Sequence, residues 1–360
     1  MSVMKYRIRF EKREKQTALR TCLTSLGFVV LALVFCGIII ASVGFNPMDV
    51  YTTMITKSFL SSKGFQKMLT ASLPLMFCSL GVALTFKMNL NNIGAEGQYA
   101  IGVITGGAFV FYGPKVEGVI GILLLALCCF IGGAFWAFLC AVPKALWDVN
   151  ESITTLMMNY IALAILTFLC LGPWKMKGQN VAQTERIPLG LELPTIRFGE
   201  LEVSVGIFLG ILVAFAIFFA YKYTTSGYQL SVISHSPKSA EYAGISIKKN
   251  IIAVLSLSGG LAGLAGFTQY SGVTHRIMEN MPNNAGYTAI VIAYLSRLNP
   301  LVVFVVSILF GGLQNSTVYV QIMGVSFRIA TMMQGAIMLF VIAGEFFQRY
   351  KIIVTKEEKA

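Results

Sequence analysis

Long apolar stretches separated by short polar segments follow one another through almost the whole chain. An α-helix that crosses a bilayer needs about 20 predominantly apolar residues. By this measure the pattern predicts ten transmembrane helices and therefore an all-α, polytopic membrane protein. The predicted spans cover residues 22–45, 66–86, 95–112, 118–142, 153–173, 203–221, 250–272, 284–297, 300–318 and 327–347.

The amino-acid composition agrees with this pattern. Of the 360 residues, 56% are hydrophobic and 12% are charged, whereas soluble domains carry about 25% charged residues. The net charge is +12, and the basic residues cluster at the predicted span ends, where such residues set orientation and contact anionic membrane lipid. A nucleic-acid polymer is therefore not expected as a partner.

Basic residues also predict on which side of the membrane the termini lie. Lys and Arg are frequent in the first 20 residues and again from Arg349 onward, and cytoplasmic segments carry such an excess. We therefore expect both termini in the cytoplasm, in agreement with an even number of spans. The predicted organisation is a basic cytoplasmic segment at 1–21, a transmembrane domain at 22–347 with a cytoplasmic loop at 222–249, and a cytoplasmic tail at 348–360.

Motifs for catalysis and for nucleotide binding are missing from the sequence. It contains no HExxH or CxxC pair, no GxSxG motif and no GxxxxGK[ST] loop, so we expect neither a metal site, nor an enzyme, nor ATP binding by such a loop. The predicted spans hold almost no ionisable residues near their centres, where an ion-coupled carrier usually has some. This favours transport driven from outside the chain, with a proton-coupled carrier and a membrane enzyme as competing hypotheses.

The cytoplasmic loop contains the signals of a short helix. Ser236 is a suitable N-cap, Pro237 suits the first helical position, and Gly244 can end the helix. Lysines surround it, namely Lys238, Lys248 and Lys249. A capped helix between two spans can dock another protein, and a connecting loop with one helical turn is the alternative.

The densest polar run beside a predicted span is NLNNIGAEGQ at residues 89–98. Amide and carboxylate groups in or near lipid normally face protein, water or a solute pathway. They could shape a pathway or brace an unwound helix end, and an ordinary cytoplasmic hairpin explains them equally well. Amides within later spans suit a neutral polar solute, and they also serve as hydrogen-bonding contacts between helices. The candidate pathway residues are Asn91, Asn92, Glu96, Gln98, Asn159 and Asn315.

Two predicted spans and one outer loop are unusual in length or composition. Gly97–Tyr112 is glycine-rich and Ala285–Ser296 is short. Such segments often mark a translocation pathway, although small residues also let membrane helices pack closely. Trp174–Glu202 is the longest predicted outer loop, and it can either dock a soluble partner or act as a passive cap.

Four stretches of the sequence, in order, resemble the permease subunits of bacterial ABC importers. Residues 92–98, NIGAEGQ, resemble a signature of the nucleoside subgroup, labelled simple-sugar permeases, within the ribose and branched-chain amino-acid permease family. NESITTLMMNYI at 150–161 resembles the family's NEVITTLMLNYIA, residues 237–266 resemble its cytoplasmic loop and the following Gly-rich span, and residues 286–312 resemble its late pair of spans. The resemblance covers residues 68–345.

The resemblance implies transport of nucleosides or related polar solutes, with ribose or another simple sugar as the alternative. It implies that ATP and Mg²⁺ are bound by a separate ABC ATPase subunit, so this chain has no cofactor of its own. A second, non-identical permease, an extracellular solute-binding lipoprotein and location in the bacterial inner (plasma) membrane are also implied. The helix in the cytoplasmic loop would be the coupling helix that rests on the ATPase. Its implied coupling residues are Ser236, Pro237, Ser239, Ala240, Tyr242, Ala243 and Gly244.

Overall fold

The computed structural model describes residues 6–12, 18–178, 180–199 and 201–356, most of which are helical. They form two compact units, one from residues 58–315 and one from the segments on either side. The helices are α1 (Ala18–Ser42), α2 (Pro47–Ile55), α3 (Ser62–Phe86), α4 (Ala95–Tyr112), α5 (Gly118–Trp147), α6 (Glu151–Leu171), α7 (Val205–Tyr223), α8 (Thr225–His235), α9 (Pro237–Tyr242), α10 (Ile247–Gln269), α11 (Ala285–Leu295), α12 (Pro300–Ile322) and α13 (Phe327–Arg349). The strands are β1 (Tyr6–Lys12), β2 (Thr195–Phe198), β3 (Leu201–Ser204) and β4 (Tyr350–Lys356).

Each of the ten predicted spans coincides with a helix of the structure. Three further helices, α2, α8 and α9, lie in connections between them. By length and composition, seven helical segments of the described chain can cross a membrane. They are Ser62–Phe86, Gly118–Trp147, Glu151–Leu171, Val205–Tyr223, Ile247–Thr274, Pro300–Ile322 and Phe327–Gln348. The chain is thus a mostly helical protein with several membrane-spanning helices, and the count of ten stays a prediction.

The helical fold class is confirmed for most of the described residues, which also include two short antiparallel strand pairs. β1 pairs with β4, and β2 forms a hairpin with β3 through a turn at Gly199, where φ is +63°. The β1 sequence, YRIRFEK, alternates charged and apolar residues with the period of a strand. The basic composition of this segment predicts only the orientation of the chain, so β1 is not among the predicted elements.

Helix α10 packs closely against α4 and α5 in the unit formed by residues 58–315, and glycines line these contacts. A Cβ added to Gly102 of α4 would lie 2.5 Å from the Cα of Gly263 of α10. A Cβ on Gly133 of α5 would collide with the carbonyl oxygen of Gly259 of α10. Small residues of this kind let membrane helices approach each other until their backbones touch. The three helices therefore form one tightly packed group.

The other unit contains α1 and α13, which pack through aromatic rings. Phe28 stacks on Phe347 with ring centroids 5.5 Å apart, and Phe35 lies 5.6 Å from Phe340. Aromatic pairs at such distances add packing energy beyond the area they bury. These rings account for the association of two helices that lie far apart in the sequence.

The glycine contacts predict that Gly263→Ala destabilises the protein. Its new Cβ would collide with the carbonyl oxygen of Cys129 and lie 3.3 Å from the nitrogen of Gly133. Overpacking of this kind costs about 1–3 kcal/mol, which should lower the thermal unfolding midpoint of the purified protein in detergent.

The matched control is Gly335→Ala in α13, where the added Cβ would meet nothing within 4 Å apart from its chain neighbours and the local helix backbone. Alanine favours a helix interior over glycine by up to about 1 kcal/mol, so this variant should unfold at the wild-type temperature or above it. Equal midpoints for the two variants would contradict the close-packing argument.

Candidate functional site

One face of α6 carries three polar side chains at intervals of four residues. Glu151, Thr155 and Asn159 are all buried, and this spacing places them on the same side of the helix. Asn150 begins the helix, because its side chain accepts hydrogen bonds from the first-turn N–H groups. The polar face of α6 lies against the segment that leads into α4.

Asn159 and Thr155 bind the backbone at the start of α4. The Asn159 Oδ1 accepts a hydrogen bond of 2.8 Å from the Gly97 N–H, and its Nδ2 donates one of 2.8 Å to the Ile93 carbonyl. The Thr155 Oγ1 accepts a bond of 3.2 Å from the Ile93 N–H. The first N–H groups of a helix have no partner within it. Helix α4 is therefore capped by side chains from α6.

A pair of amide side chains holds the same segment from within. Asn92 and Gln98 donate to each other at 3.0 Å in both directions, and both are buried. Asn92 also donates to Ser258 of α10 at 2.9 Å and accepts from the Gly94 N–H at 2.9 Å. Buried polar networks stabilise one conformation when every member is paired. The NIGAEGQ segment is accordingly a braced helix start.

Glu96 caps a second helix. Its two carboxylate oxygens accept hydrogen bonds from the N–H groups of Asn284, at 2.8 Å, and Gly286, at 2.6 Å, at the beginning of α11. A carboxylate is favourable there because the helix dipole places partial positive charge at the N-terminus. A Cβ on Gly286 would collide with the backbone of Glu96, so this contact requires glycine.

Helix α11 has 11 residues, which corresponds to a length of about 16 Å, roughly half of the hydrocarbon thickness of a bilayer. It is preceded by Asn283 and Asn284, two residues with positive φ. Irregular backbone at membrane depth occurs only where it is buried in protein or lines water. The α4–α11 contact at Glu96 thus joins two helix starts, and their place in a transport pathway stays a prediction.

The structure brings together four of the six candidate pathway residues. Asn92, Glu96, Gln98 and Asn159 form the network just described. Asn91 is exposed, and only its backbone N–H takes part, donating to Glu151 at 3.3 Å. Contact with the solute stays a prediction for all six.

Asn315 belongs to a different place in the same unit. Its side chain donates to the Ser58 hydroxyl at 3.0 Å and to the Gly64 carbonyl at 3.2 Å. Several members of the network are not among the predicted site residues, namely Thr155, Ser258, Tyr287 and the backbone N–H groups of Asn284 and Gly286. Thr155 could have been found from its spacing of four residues from Asn159.

The predicted helix in the loop before α10 is confirmed. Helix α9 begins after Ser236, whose hydroxyl accepts a bond of 3.3 Å from the Ser239 N–H, and Pro237 occupies its first position. Gly244 follows with φ +74°, a conformation that ends helices and favours glycine. Tyr242 is 93% exposed. Most of α9 therefore presents a free surface within the described chain.

Ala240 departs from its predicted role as a contact residue. It is fully buried and packs in a hydrophobic cluster with Leu230 and Ile233 of α8 and with Met88 and Leu90 of the α3–α4 loop. It is the buried residue of α9, and it faces inward because the apolar side chains of this cluster lie on that side of the helix. Ala240 thus anchors α9 to the membrane-spanning helices.

A cleft of about 410 Å³ opens beside the end of α9. Its walls combine exposed backbone with polar side chains and one lysine. They consist of Gln229, Ala243, Gly244, Ile245, Ser246, Lys249, Asn250 and Ala253. The cleft and the exposed face of α9 form a continuous surface of a size that can receive side chains of another protein.

Comparison with known proteins decides the family. A family model described as branched-chain amino acid transport system, permease component, matches residues 64–342. The chain belongs to this permease family. The resemblance seen in the sequence is therefore confirmed.

Three relatives are similar to this permease over most of its length. A glucose ABC transporter permease, TsgB13 of Haloferax volcanii, is 29% identical and aligns over 90% of this chain and 88% of its own. The nucleoside ABC transporter permease NupB of Lactococcus lactis is 26% identical, covering 89% and 91%. The guanosine ABC transporter permease NupP of Bacillus subtilis is 29% identical, covering 74% and 78%.

The long loop between α6 and α7 of the permease is fastened to the segment after α10. Backbone N–H groups of Thr184, Ile187 and Leu193 donate to carbonyls of Ile277, His275 and Ser271 at 2.9–3.0 Å. These bonds give the loop one defined conformation over that segment.

The network predicts that Glu96→Ala destabilises the permease and reduces transport more than expression. Removing the carboxylate leaves the buried Gly286 N–H and the partly buried Asn284 N–H at the start of α11 without acceptors, and a buried group left unpaired costs about 1–3 kcal/mol. Glu96→Gln keeps one acceptor oxygen and should fall between Glu96→Ala and wild type in thermal stability and uptake.

Glu117→Ala is the matched control, since Glu117 is exposed and its side chain makes no capping hydrogen bond. Thermal unfolding in detergent and uptake in cells are measured for the three variants. Uptake and stability of Glu96→Ala equal to those of Glu117→Ala would show that the carboxylate cap has no role.

Proposed function

We propose that this permease is the membrane-spanning subunit of an ABC importer that moves nucleosides or related neutral polar solutes. Two of its relatives are a nucleoside and a guanosine ABC transporter permease. ATP is hydrolysed by a separate subunit, in keeping with the lack of a GxxxxGK[ST] loop in this chain.

The Glu96 carboxylate is the observation that carries the choice of a neutral solute. Half-helix N-termini in transporters can bind anionic groups of the solute. Here a buried carboxylate already accepts the N–H groups of Asn284 and Gly286 and offsets the positive end of the α11 dipole. The N–H groups that could bind an amino-acid carboxylate or a nucleotide phosphate are therefore already occupied, whereas a nucleoside or a sugar carries no such anionic group.

The second candidate is a simple sugar, favoured by the glucose ABC transporter permease among the relatives. A sugar is also neutral, so Glu96 does not separate it from a nucleoside. In the membrane the permease has ten spans and both termini in the cytoplasm, as the basic terminal segments indicate. Its location is the bacterial inner (plasma) membrane. The further partners are a second permease subunit and an extracellular solute-binding lipoprotein.

The exposed face of α9 and its neighbouring cleft form the contact for the ATPase subunit. Ser236, Pro237, Ser239, Tyr242, Ala243 and Gly244 contribute to this contact, while Ala240 supports it from inside. The hydrophobic cluster around Ala240 fixes α9 to the ends of the neighbouring helices. Movement of the ATPase would therefore reach the spans as rigid-body displacement.

Transport in proteoliposomes tests the proposed function. The vesicles contain the permease, its second permease subunit and the ATPase subunit. They should take up a labelled nucleoside only when ATP is present on the side of the ATPase and the binding lipoprotein is present on the opposite side. Unlabelled nucleosides should compete, and nucleoside monophosphates and leucine should not. Competition by ribose or glucose alone would favour the sugar candidate. Uptake by this chain alone, driven by a pH gradient without ATP, would refute the proposal.

Docking on α9 predicts that Ala243→Arg impairs ATPase binding while the permease still inserts in the membrane. Ala243 is exposed and lines the cleft, so a long cationic side chain would fill it. Co-purification of the ATPase subunit should drop at least severalfold.

Asn180→Arg introduces the same side chain in the exposed part of the loop between α6 and α7, on the side predicted to be extracellular, and should leave ATPase binding unchanged. Wild-type co-purification with Ala243→Arg would remove α9 from the interface.

A further inference from the structure

The loop between α3 and α4 touches the α8–α9 segment through three successive residues. Met88 and Leu90 are buried in the same hydrophobic cluster as Leu230 and Ala240. Between them, the exposed Asn89 donates a hydrogen bond of 2.8 Å from its side-chain Nδ2 to the Ser234 carbonyl of α8. Side-chain packing and a directional hydrogen bond thus hold the loop to this segment.

Two features explain why asparagine suits this position. Asn89 has φ +57°, a left-handed conformation that asparagine tolerates better than most residues. Ser234 lies at the end of α8, which finishes at His235, and the last carbonyls of a helix find no donor within it. The Asn89 amide therefore supplies a donor to a helix end that lacks one.

The residues directly after Asn89 bind the buried network. The Asn91 N–H donates to Glu151, and Ile93 exchanges hydrogen bonds with Thr155 and Asn159. Within a few residues the chain passes from a bond with α8 to bonds with α6. Through Glu96 the same network reaches the start of α11.

We propose that Asn89 is a positioning residue that transmits displacement of the α8–α9 segment to the buried network and to α11. This inference rests on the proposed function, in which α9 docks on the ATPase. Asn89 contacts neither solute nor nucleotide. When the ATPase displaces α8, the Asn89 hydrogen bond displaces the α3–α4 loop together with α8. The loop in turn displaces the start of α4. Coupling of this kind requires packed elements that move as bodies.

The test uses Asn89→Gly in the complete importer complex reconstituted in proteoliposomes. Glycine adopts positive φ freely, so the backbone is kept and only the donor is lost. We expect wild-type assembly with the ATPase and a fall of about three- to tenfold in nucleoside transported per ATP hydrolysed, the size expected for one hydrogen bond. Asn89→Asp should have the same effect as Asn89→Gly, because aspartate also tolerates positive φ and its carboxylate cannot donate a hydrogen bond to the Ser234 carbonyl.

Ser234→Ala is the matched control, because it removes the Ser234 hydroxyl, which bonds within α8, and leaves the carbonyl that accepts from Asn89. The Ser234→Ala complex should transport as much nucleoside per ATP hydrolysed as the wild-type complex. As a second measurement, ATP-trapping of the wild-type complex should alter hydrogen exchange in residues 91–98, and Asn89→Gly should reduce that change.

A wild-type coupling ratio and wild-type exchange in both Asn89 variants would overturn the proposal, as would an equal loss in Ser234→Ala. Loss of ATPase binding in the Asn89 variants would also overturn it, since Asn89 would then shape the docking surface. Failure of the proposed function is distinguishable, because the wild-type complex itself would then not transport nucleosides with ATP.

Discussion

A backbone N–H group buried without an acceptor costs free energy. Two helices of this permease begin inside the protein, so their first N–H groups need acceptors from elsewhere in the chain. Helix α4 begins against Asn159 and Thr155, and helix α11 begins against Glu96. Each cap comes from a neighbouring helix. The caps therefore determine both where these helices start and which helices lie beside them.

This arrangement links parts of the chain that are distant in sequence. The polar face of α6 holds the start of α4, and α4 in turn provides the carboxylate for α11. Glycine contacts between α4, α5 and α10 bring the same helices close enough for their backbones to touch. Hydrogen bonds and backbone packing thus form a continuous series of contacts from α6 through α4 to α11.

Much of this fold could be predicted because the signals are local. Apolar stretches locate the helices, and Ser236, Pro237 and Gly244 locate α9 through capping and φ preferences. The inward direction of Ala240 could not be predicted, since it depends on the neighbouring Leu90 and Leu230. The alternation in β1 is local too, but its strand partner lies at the other end of the chain.

The candidate site shows the same limit for a physical reason. A buried carboxylate needs hydrogen-bond donors. The sequence around Glu96 does not show which groups those donors are. The groups that donate to this carboxylate are backbone N–H groups 188 and 190 residues away, and a backbone N–H has no signature in sequence. What the sequence does contain at the far end of this contact is Gly286, which the close approach of Glu96 requires. Gly286 is therefore the only residue type at this end of the contact that the contact itself requires. Its partner Glu96 can be identified from it only once the fold is known.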